Sequence, residues 1–283
     1  MSELSLLAVH AHPDDESITM GGTLARYSAE GVRTTLVTAT RGEVGEILDK
    51  ELDPKEAAPR LASIRELELR SAVKILGVSE LVFLGYEDSG MAGLPRNRDK
   101  QVFWQADEEE AVGRLIEVVR RVRPQVMTTY NEVGGYGHPD HINTHRIAVG
   151  AFYSAHDTKR FPGGEPWRPS KLYYSAFPRS VIAEFGEAIK RAGLADRFSR
   201  DGDEEPPFAV ADDRVTTRLD ISPYLDKKLA AMRAHRTQIP EDSWFIEIYK
   251  AMGPTAWNRE YYERARSSVE APTPEDDLFA GLR

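Results

Sequence analysis

We predict an α/β fold with a Rossmann-like, mostly parallel sheet that is flanked by helices and extended by an elaborated C-terminal region. Short apolar runs that suit buried strands alternate with longer segments in which apolar residues recur at helical spacing. Strand, helix and strand follow one another in the first fifty residues, which is the order of a right-handed βαβ unit. Polar residues with metal-binding side chains follow two of the strands, as at the ligand crevice of open α/β sheets.

The first half of the chain is predicted to contain four strand-and-helix steps. Gly31 and Gly77 mark where two of the helices end, because glycine readily adopts the left-handed conformation of a helix stop. Pro124 precedes the last of the four strands. The predicted strands are residues 4–10, 34–39, 80–84 and 126–130, and the predicted helices are residues 17–30, 60–76, 111–122 and 142–155.

The second half is predicted to contain fewer and less regular elements. The acidic run DGDEEPP at 201–207 is the best candidate for an internal boundary, and Pro, Glu and Asp accumulate after residue 271. We therefore expect a metal-binding core over 1–200, a C-terminal elaboration packed on it over 201–270, and a loosely ordered tail over 271–283. Further predicted strands are 172–176 and 215–219, and further helices are 182–194 and 225–234.

Composition and net charge restrict the classes of molecule that the protein is expected to bind. The 283 residues carry a formal charge of −9, which argues against nucleic acid or an anionic membrane surface as the main partner. The amino terminus lacks a basic leader region, and no apolar run approaches the roughly 18 residues that span a bilayer. We expect a cytoplasmic protein that binds a small molecule, and the sequence leaves a homo-oligomer open.

The first polar cluster is AHPDDES, residues 11–17, directly after the first predicted strand. His12 and Asp15 are three residues apart across a proline-led turn, so both side chains can point at one spot. Asp14, Asp15 and Glu16 also suit the first turn of a helix, where negative charge is favoured by the helix dipole. Taken alone, this cluster is equally compatible with a metal site and with acidic residues that only stabilise the first turn of a helix.

A second cluster, GGYGHPDH at 134–141, follows the strand at 126–130 and contains the tripeptide His-Pro-Asp again. Catalytic zinc has three protein ligands and one open position, whereas structural zinc has four ligands, mostly cysteine. The chain contains no cysteine. If the clusters meet, His12, Asp15 and a later histidine complete a three-ligand site. His141 and His145, at helical i,i+4 spacing, compete for that third position, and we interpret His10 as a buried polar group.

The two motifs together resemble the PIG-L/LmbE family of zinc-dependent N-deacetylases, and within it the enzymes of mycothiol metabolism. The resemblance runs from about residue 4 to residue 239, and its most specific parts are AHPDDE and GYGHPDH. It implies that His12, Asp15 and His141 are the zinc ligands and that Asp14 is the general base.

The same resemblance implies roles for further residues. His138 would be the cationic residue near the leaving group, with Asp140 holding it in orientation, and Tyr136 would help to stabilise the oxyanion. Substrate would be held by three residues from other loops and helices, which are Arg65, Asp88 and Glu46.

By this resemblance the expected reaction is N-deacetylation of an N-acetylglucosamine-type substrate similar to GlcNAc-inositol, by a metal-activated water. The alternative is an amidase that cleaves a mycothiol-like thiol S-conjugate. Zn²⁺ is the expected cofactor, with Fe²⁺ as the alternative metal in the same ligands. A non-haem Fe(II) oxygenase and a non-catalytic sugar-binding protein are more remote, because the former usually has a β-barrel fold and the latter needs no Asp14.

Overall fold

The computed structural model describes residues 3–195 and 206–283, which form an eight-stranded sheet with helices on both faces. One-turn helices occur at Pro54–Ala57 and Gly134–Gly137. The strands are β1 Ser5–His10, β2 Arg33–Thr38, β3 Glu80–Phe83, β4 Val126–Thr129, β5 Lys171–Pro178, β6 Ala209–Val210, β7 Thr217–Asp220 and β8 Arg259–Ser267. The longer helices are α1 Asp15–Ala29, α2 Leu61–Leu76, α3 Glu108–Val122, α4 Pro139–Ser154, α5 Arg179–Arg191, α6 Leu225–Ala234 and α7 Trp244–Met252.

The strand order is β3-β2-β1-β4-β5-β8-β7, and β6 pairs with β5 outside this path. The five strands from β3 to β5 are parallel, which confirms the predicted fold class. From β1 the chain proceeds outward to β2 and β3 on one side, and then returns to β4 on the other side. The carboxyl ends of β1 and β4 therefore flank the point where the strand order reverses, which is the usual ligand site of such sheets.

Alternate residues of β1 enter the cores on the two faces of the sheet. Leu6 and Ala8 join a core with α1, α2, α6 and the end of the chain, whereas Leu7 and Val9 join a core with α3 and α4. Because both faces of the strand are covered, β1 has a continuous apolar run, as expected for a parallel strand buried on both faces.

The C-terminal region differs most from the sequence-based expectation. Strand β8 and helix α7 were not predicted, and β8 pairs antiparallel with both β5 and β7. Tyr262 of β8 is fully buried although charged residues surround it in the sequence, so the strand lacks a clean alternating pattern. Residues 201–205 of the expected boundary lie outside the described residues, and the division of the chain at that point stays a prediction.

The segment after residue 271, which was expected to be a loosely ordered tail, packs on the core in this structure. Leu278 and Phe279 are fully buried in the core beside α1. Glu275 is also buried, and it accepts hydrogen bonds from the Tyr173 hydroxyl at 2.8 Å and from Lys171 Nζ at 2.5 Å. Polar composition suggested disorder, but two apolar side chains and one paired carboxylate are sufficient to fix the segment.

Helix α1 is interrupted at Met20, which has the non-helical dihedral angles φ −150° and ψ 23°. The second half of the helix starts again with the backbone N–H groups of Gly22 and Thr23, which donate to the Glu260 carboxylate of β8 at 3.0 and 2.7 Å. The ammonium group of Lys228 from α6 binds the same carboxylate and the Ile18 carbonyl. The C-terminal region thus fixes the helix that begins at the first polar cluster.

Across residues 3–195 and 206–283, the model contains no helix with the length and apolar character needed to cross a membrane.

Replacing Phe279 with Ala is expected to lower the free energy of unfolding by about 3–5 kcal/mol, because it leaves a cavity in a closed core. Denaturant unfolding followed by circular dichroism measures this change. Asp276→Ala, at an exposed position of the same segment, is the matched control and should change stability by less than about 0.5 kcal/mol. Equal, small effects of both substitutions would show that the segment is loosely held in solution.

Candidate metal centre

The two polar clusters meet at the carboxyl edge of the sheet, between β1 and β4. His12 Nδ1 lies 3.2 Å from His141 Nε2 and 3.6 Å from Asp15 Oδ2. His141 Nε2 lies 3.4 Å from the same Asp15 oxygen. Ligand atoms bound tetrahedrally to zinc at about 2.0–2.2 Å are about 3.3–3.6 Å from one another. The three atoms therefore form a triangle that fits one zinc ion and leaves the side facing the cavity for a fourth ligand.

The charges around His12 favour a cation at this point. Burial disfavours the charged imidazolium, but hydrogen bonds to Asp140, Asp15 and Asp88 raise the pKa of His12 well above its ordinary value. Burial likewise raises the pKa of Asp15, while the neighbouring His141 and His12 hold that pKa well below its usual range. The cluster is thus rich in negative charge, and a divalent cation satisfies it with the neutral histidines that metal ligation requires.

Tyr130, which the sequence did not single out, fixes Asp15. Its hydroxyl donates to Asp15 Oδ2 at 2.7 Å and accepts from the Ala11 N–H at 2.8 Å. The His12 backbone N–H donates to the same carboxylate oxygen at 2.9 Å. Burial raises the pKa of Tyr130 well above its ordinary value, so the hydroxyl keeps the proton that it donates. The one sequence feature that could have indicated this role is the position of the tyrosine at the end of a central strand.

The carboxylate of Asp140 contacts the ring of His12 in this structure, whereas the role toward His138 that the resemblance implies stays a prediction. Asp140 Oδ2 is 3.1 Å from His12 Nε2 and accepts the Ser89 N–H at 2.9 Å. The Ser89 hydroxyl donates to the other carboxylate oxygen. A carboxylate on the distal nitrogen of a metal-binding histidine sets the tautomer and the orientation of the ring.

Asp88 belongs to the same group. Its Oδ1 lies 3.7 Å from His12 Nε2 and accepts the Gly90 N–H at 2.8 Å. Ligand atoms of His12, Asp88, His138 and Asp140 all lie within 4.8 Å of one another and form a second potential metal-binding group. We favour the triangle with Asp15 and His141, because its three ligand atoms are 3.2–3.6 Å apart, as around one zinc ion, whereas Asp140 and Asp88 face the other nitrogen of His12.

His138 caps helix α4, since its Nδ1 accepts the Asp140 backbone N–H at 3.1 Å. Burial and the neighbouring His12 and His141 lower the pKa of His138 to about 4. This environment favours a neutral ring, and the cationic role implied by the resemblance stays a prediction. Nitrogens of His12, His138 and His141 also lie within 4.8 Å of one another, so His138 borders the metal position.

The other two histidines that were weighed lie outside the triangle. His145 Nδ1 is 2.9 Å from the Tyr130 carbonyl, so this ring is tied to the backbone and faces Tyr174. His10 is buried, packs edge-on against Tyr130 at 5.4 Å, and has no hydrogen-bond partner for either ring nitrogen among the described residues. Geometry thus favours His141 over His145 as the third ligand.

Asp14 has an unusual backbone conformation beside the metal position, with φ 113° and ψ −33°. Its carboxylate lines the same cavity as Asp15 and His141 and accepts a hydrogen bond from Arg65 at 3.2 Å. Burial raises the pKa of Asp14 to about 7, although the positive charge of Arg65 opposes this rise. A carboxyl group whose pKa lies near neutrality can both accept and return a proton at physiological pH.

Glu16 and His235 are the site-supporting residues that sequence analysis missed. Glu16 was interpreted as a helix-start carboxylate, but it is fully buried and lies 2.8 Å from His235 Nε2. His235 follows α6, more than two hundred residues later in the sequence. The only local signal was a histidine next to an apolar helix.

A cavity of about 670 Å³ opens from the metal position. Tyr136, on the one-turn helix Gly134–Gly137, lines it and is 43% exposed, and its ring lies 4.9 Å from that of His141. The far walls of the cavity are mainly apolar, and these residues are Ile18, Met91, Phe177, Pro207, Phe208, Trp244 and Phe245.

The three residues expected to hold substrate occupy different positions. Arg65 is buried, and its guanidinium donates to the carbonyls of Pro13 at 2.5 Å and Gly42 at 2.8 Å as well as to Asp14. Asp88 is equally buried behind His12. Glu46 is exposed on the loop after β2. In this structure Arg65 and Asp88 shape the site from behind, and contact with substrate stays a prediction for all three.

His141→Ala is expected to weaken zinc affinity by more than about 100-fold, because removing a ligand costs more than the 10–100-fold typical of an outer hydrogen-bond partner. Competition with a chromogenic chelator measures the affinity. His145→Ala, one helical turn away, is the matched control and should bind zinc like the unsubstituted chain. Loss of zinc in the His145 variant alone would assign the third ligand to His145.

Asp140→Asn is expected to weaken zinc affinity by about 10–100-fold, since the amide no longer fixes the ring of His12 as the carboxylate does. His138→Ala should leave the affinity within a few-fold, because the structure ties Asp140 to His12. The same chelator competition tests both variants. An equal loss in the His138 variant would show that Asp140 acts through His138 or that His138 is itself a ligand.

Comparisons with known proteins agree with this geometry. Residues 7–152 match the family model described as "PIG-L: GlcNAc-PI de-N-acetylase". A 1D-myo-inositol 2-acetamido-2-deoxy-α-D-glucopyranoside deacetylase of Thermobispora bispora is 48% identical, and the alignment covers 100% of both chains. The enzyme of the same name from Geodermatophilus obscurus is 46% identical over 98% of this chain and 97% of its own.

Among solved structures, a conserved protein of Thermus thermophilus superposes with a TM-score of 0.62 at 28% identity. This superposition covers 95% of this chain and 98% of the other. The metal-binding cluster, the parallel sheet and the full-length similarity to named deacetylases lead to one conclusion. The chain belongs to the PIG-L family of de-N-acetylases.

Proposed function

We propose that this protein is a zinc-dependent N-deacetylase that releases acetate from an N-acetylglucosamine-type substrate, with GlcNAc-inositol as the first candidate. The observation that carries the proposal is the triangle of His12, Asp15 and His141 with the carboxylate of Asp14 in the same cavity. The names of the relatives that are 46–48% identical over nearly the whole chain support the choice of substrate.

His12, Asp15 and His141 would hold the zinc ion. When bound, zinc lowers the pKa of a coordinated water toward neutrality and polarises the acetyl carbonyl. The ligand set is two neutral imidazoles and one carboxylate, which is a known arrangement for hydrolytic zinc. Fe²⁺ suits the same ligand types, and metal reconstitution distinguishes the two.

Asp14 is the general base of the proposed reaction. It takes a proton from the attacking water while the water oxygen forms a bond to the acetyl carbon. Arg65 binds Asp14 Oδ2 at 3.2 Å and leaves the other carboxylate oxygen for this proton. Proton transfer by a positioned carboxylate typically contributes about 10²–10⁴-fold to the rate.

Tyr136 would stabilise the negative charge that develops on the carbonyl oxygen. Desolvation at the cavity wall and the nearby Asp15 carboxylate raise the pKa of its phenol above the ordinary value, so the hydroxyl carries a proton to donate. Glycines on both sides allow the short helix to turn at this point, and Gly135 has φ 69°. A donor placed at the developing oxyanion is often worth about 3 kcal/mol of transition-state stabilisation.

The departing amine needs a proton as the carbon–nitrogen bond breaks. Asp14, having accepted one from water, is the donor favoured here, because it lines the same cavity as the metal ligands Asp15 and His141 and already carries that proton. His138 is the second candidate, and it would transfer the proton as an imidazolium from Nε2, since Nδ1 faces the Asp140 N–H.

The lining of the cavity is also compatible with a second candidate substrate. Aromatic side chains of Phe177, Phe208, Trp244 and Phe245 stand where the part of the substrate beyond the amide would lie. Such walls suit the apolar faces of a sugar, but they also suit the apolar substituent of a mycothiol-like thiol S-conjugate. Amidase activity on such a conjugate is therefore the alternative.

The deciding experiment measures amine release from GlcNAc-inositol, free GlcNAc and a mycothiol S-conjugate with zinc-reconstituted protein. We expect release from GlcNAc-inositol, faster than from free GlcNAc, with one acetate formed per amine. Cleavage of the conjugate alone would move the protein to the amidase alternative. No release from any of them, with one zinc bound per chain, would contradict both.

Asp14→Asn is expected to lower kcat by about 10²–10⁴-fold and leave a measurable residual rate, with one zinc per chain still bound, because the base is removed and the ligands are kept. Tyr136→Phe should retain activity with kcat lowered about 10²–10³-fold. Steady-state kinetics with zinc content determined in parallel measures both variants. Near-native turnover by zinc-loaded Asp14→Asn would refute the assignment of the base.

A further inference from the structure

The backbone of Asp14 is in a conformation that a non-glycine residue rarely adopts. Its φ of 113° lies in the left-handed half of conformational space, where Cβ crowds the backbone. Such conformations persist at functional sites when the surrounding groups hold them in place. The groups that hold Asp14 therefore determine where its carboxylate points.

Five hydrogen bonds hold this turn. The Asp14 N–H donates to Glu16 Oε2 at 3.0 Å, and the Asp14 carbonyl accepts the N–H groups of Ser17 and Ile18 at 3.0 Å each. On the other side, Arg65 binds the Pro13 carbonyl and the Asp14 carboxylate. Arg65 thus holds the side chain, whereas Glu16 holds the backbone N–H.

Glu16 can hold that N–H only if its own carboxylate is fixed. It is fully buried, and its other oxygen accepts hydrogen bonds from the Ser17 hydroxyl at 2.5 Å and from His235 Nε2 at 2.8 Å. The two carboxylate oxygens of Glu16 thus accept from all three donors, the Asp14 N–H on one side and Ser17 and His235 on the other.

His235 is in turn fixed by the backbone that follows helix α6. It is fully buried, and its carbonyl accepts the N–H groups of Gln238 at 3.0 Å and Ile239 at 2.7 Å. Its ring therefore reaches Glu16 from a closed turn. The pair connects the C-terminal region to the turn that carries Asp14.

We propose that Glu16 and His235 are positioning residues that hold Asp14 in its left-handed conformation and thereby aim its carboxylate at the reacting water. The inference rests on the proposed role of Asp14 as general base. Neither residue lines the cavity, and neither is part of the metal triangle. Their contact with the reaction runs through the Asp14 N–H.

The test compares two substitutions at His235 in the zinc-loaded full-length protein. His235→Leu removes the donor to Glu16, whereas His235→Gln keeps an N–H at similar reach. We expect kcat for deacetylation to fall about 100-fold in the Leu variant, as a misplaced catalytic group commonly causes, with KM within about three-fold. The Gln variant should recover at least about ten-fold of this loss. If the Leu variant does not fold, His235→Asn, whose amide is too short to reach Glu16, replaces it.

Zinc content and thermal unfolding separate positioning from structural damage. The inference requires one zinc per chain in the variants and a crystal structure of the Leu or Asn variant in which φ of Asp14 has relaxed. Loss of zinc, or equal kcat in the Leu and Gln variants, would overturn it. An unchanged φ at Asp14 would also overturn it.

A double-substitution cycle distinguishes this inference from the proposed function. If His235 acts through Asp14, adding His235→Leu to Asp14→Asn should change the residual kcat/KM by less than about two-fold. Additive losses would place the effect of His235 elsewhere. Full activity of Asp14→Asn would instead refute the base itself, whatever the His235 variants do.

Discussion

The parallel pairing of β1 with β4 is the constraint on which the rest of the site depends. Leu6 pairs with Val126, and Ala8 with Thr128, so both strands end at the same edge of the sheet. His12 and His141 are 129 residues apart in sequence, yet their ring nitrogens are separated by 3.2 Å. Because the strand order reverses between β1 and β4, the chain leaves the two strand ends in opposite directions and a crevice stays open between them.

This part of the site could be predicted from the sequence because its metal-binding side chains lie in two short motifs. Each His-Pro-Asp motif follows an apolar run, and the alternation of strands and helices places both motifs at the same edge of the sheet. The two candidate ligand clusters and the order of elements through α4 could therefore be inferred without coordinates, whereas the ligand set and the base followed from the family resemblance and stay predictions. The choice between His141 and His145 could not be made from spacing alone, because both are available on one helix. It required knowing that His145 turns toward the Tyr130 carbonyl.

What sequence could not predict depends on contacts between distant segments. Glu16 and His235 look unremarkable until the fold puts them 2.8 Å apart. The contact between the Asp140 carboxylate and His12 could not be expected, because the two residues are 128 positions apart in sequence. The final segment was expected to be loose from its composition, yet Lys171 and Tyr173 hold it through Glu275. A few buried, paired side chains can thus order a segment whose polar composition suggests disorder.

The two halves of the chain contribute to the site in different ways. The family match over residues 7–152 contains all the residues that would hold zinc, transfer protons or stabilise the oxyanion. Later segments supply Phe177, Phe208, Trp244 and Phe245 to the cavity wall and His235 to the turn of Asp14. Changes in the wall can therefore alter which amide is accepted without disturbing the metal. His235 is different, since it lies in the same later region but is linked to the proposed base. Substrate choice and catalytic geometry thus share one structural region, and a substitution near α6 can affect either of them.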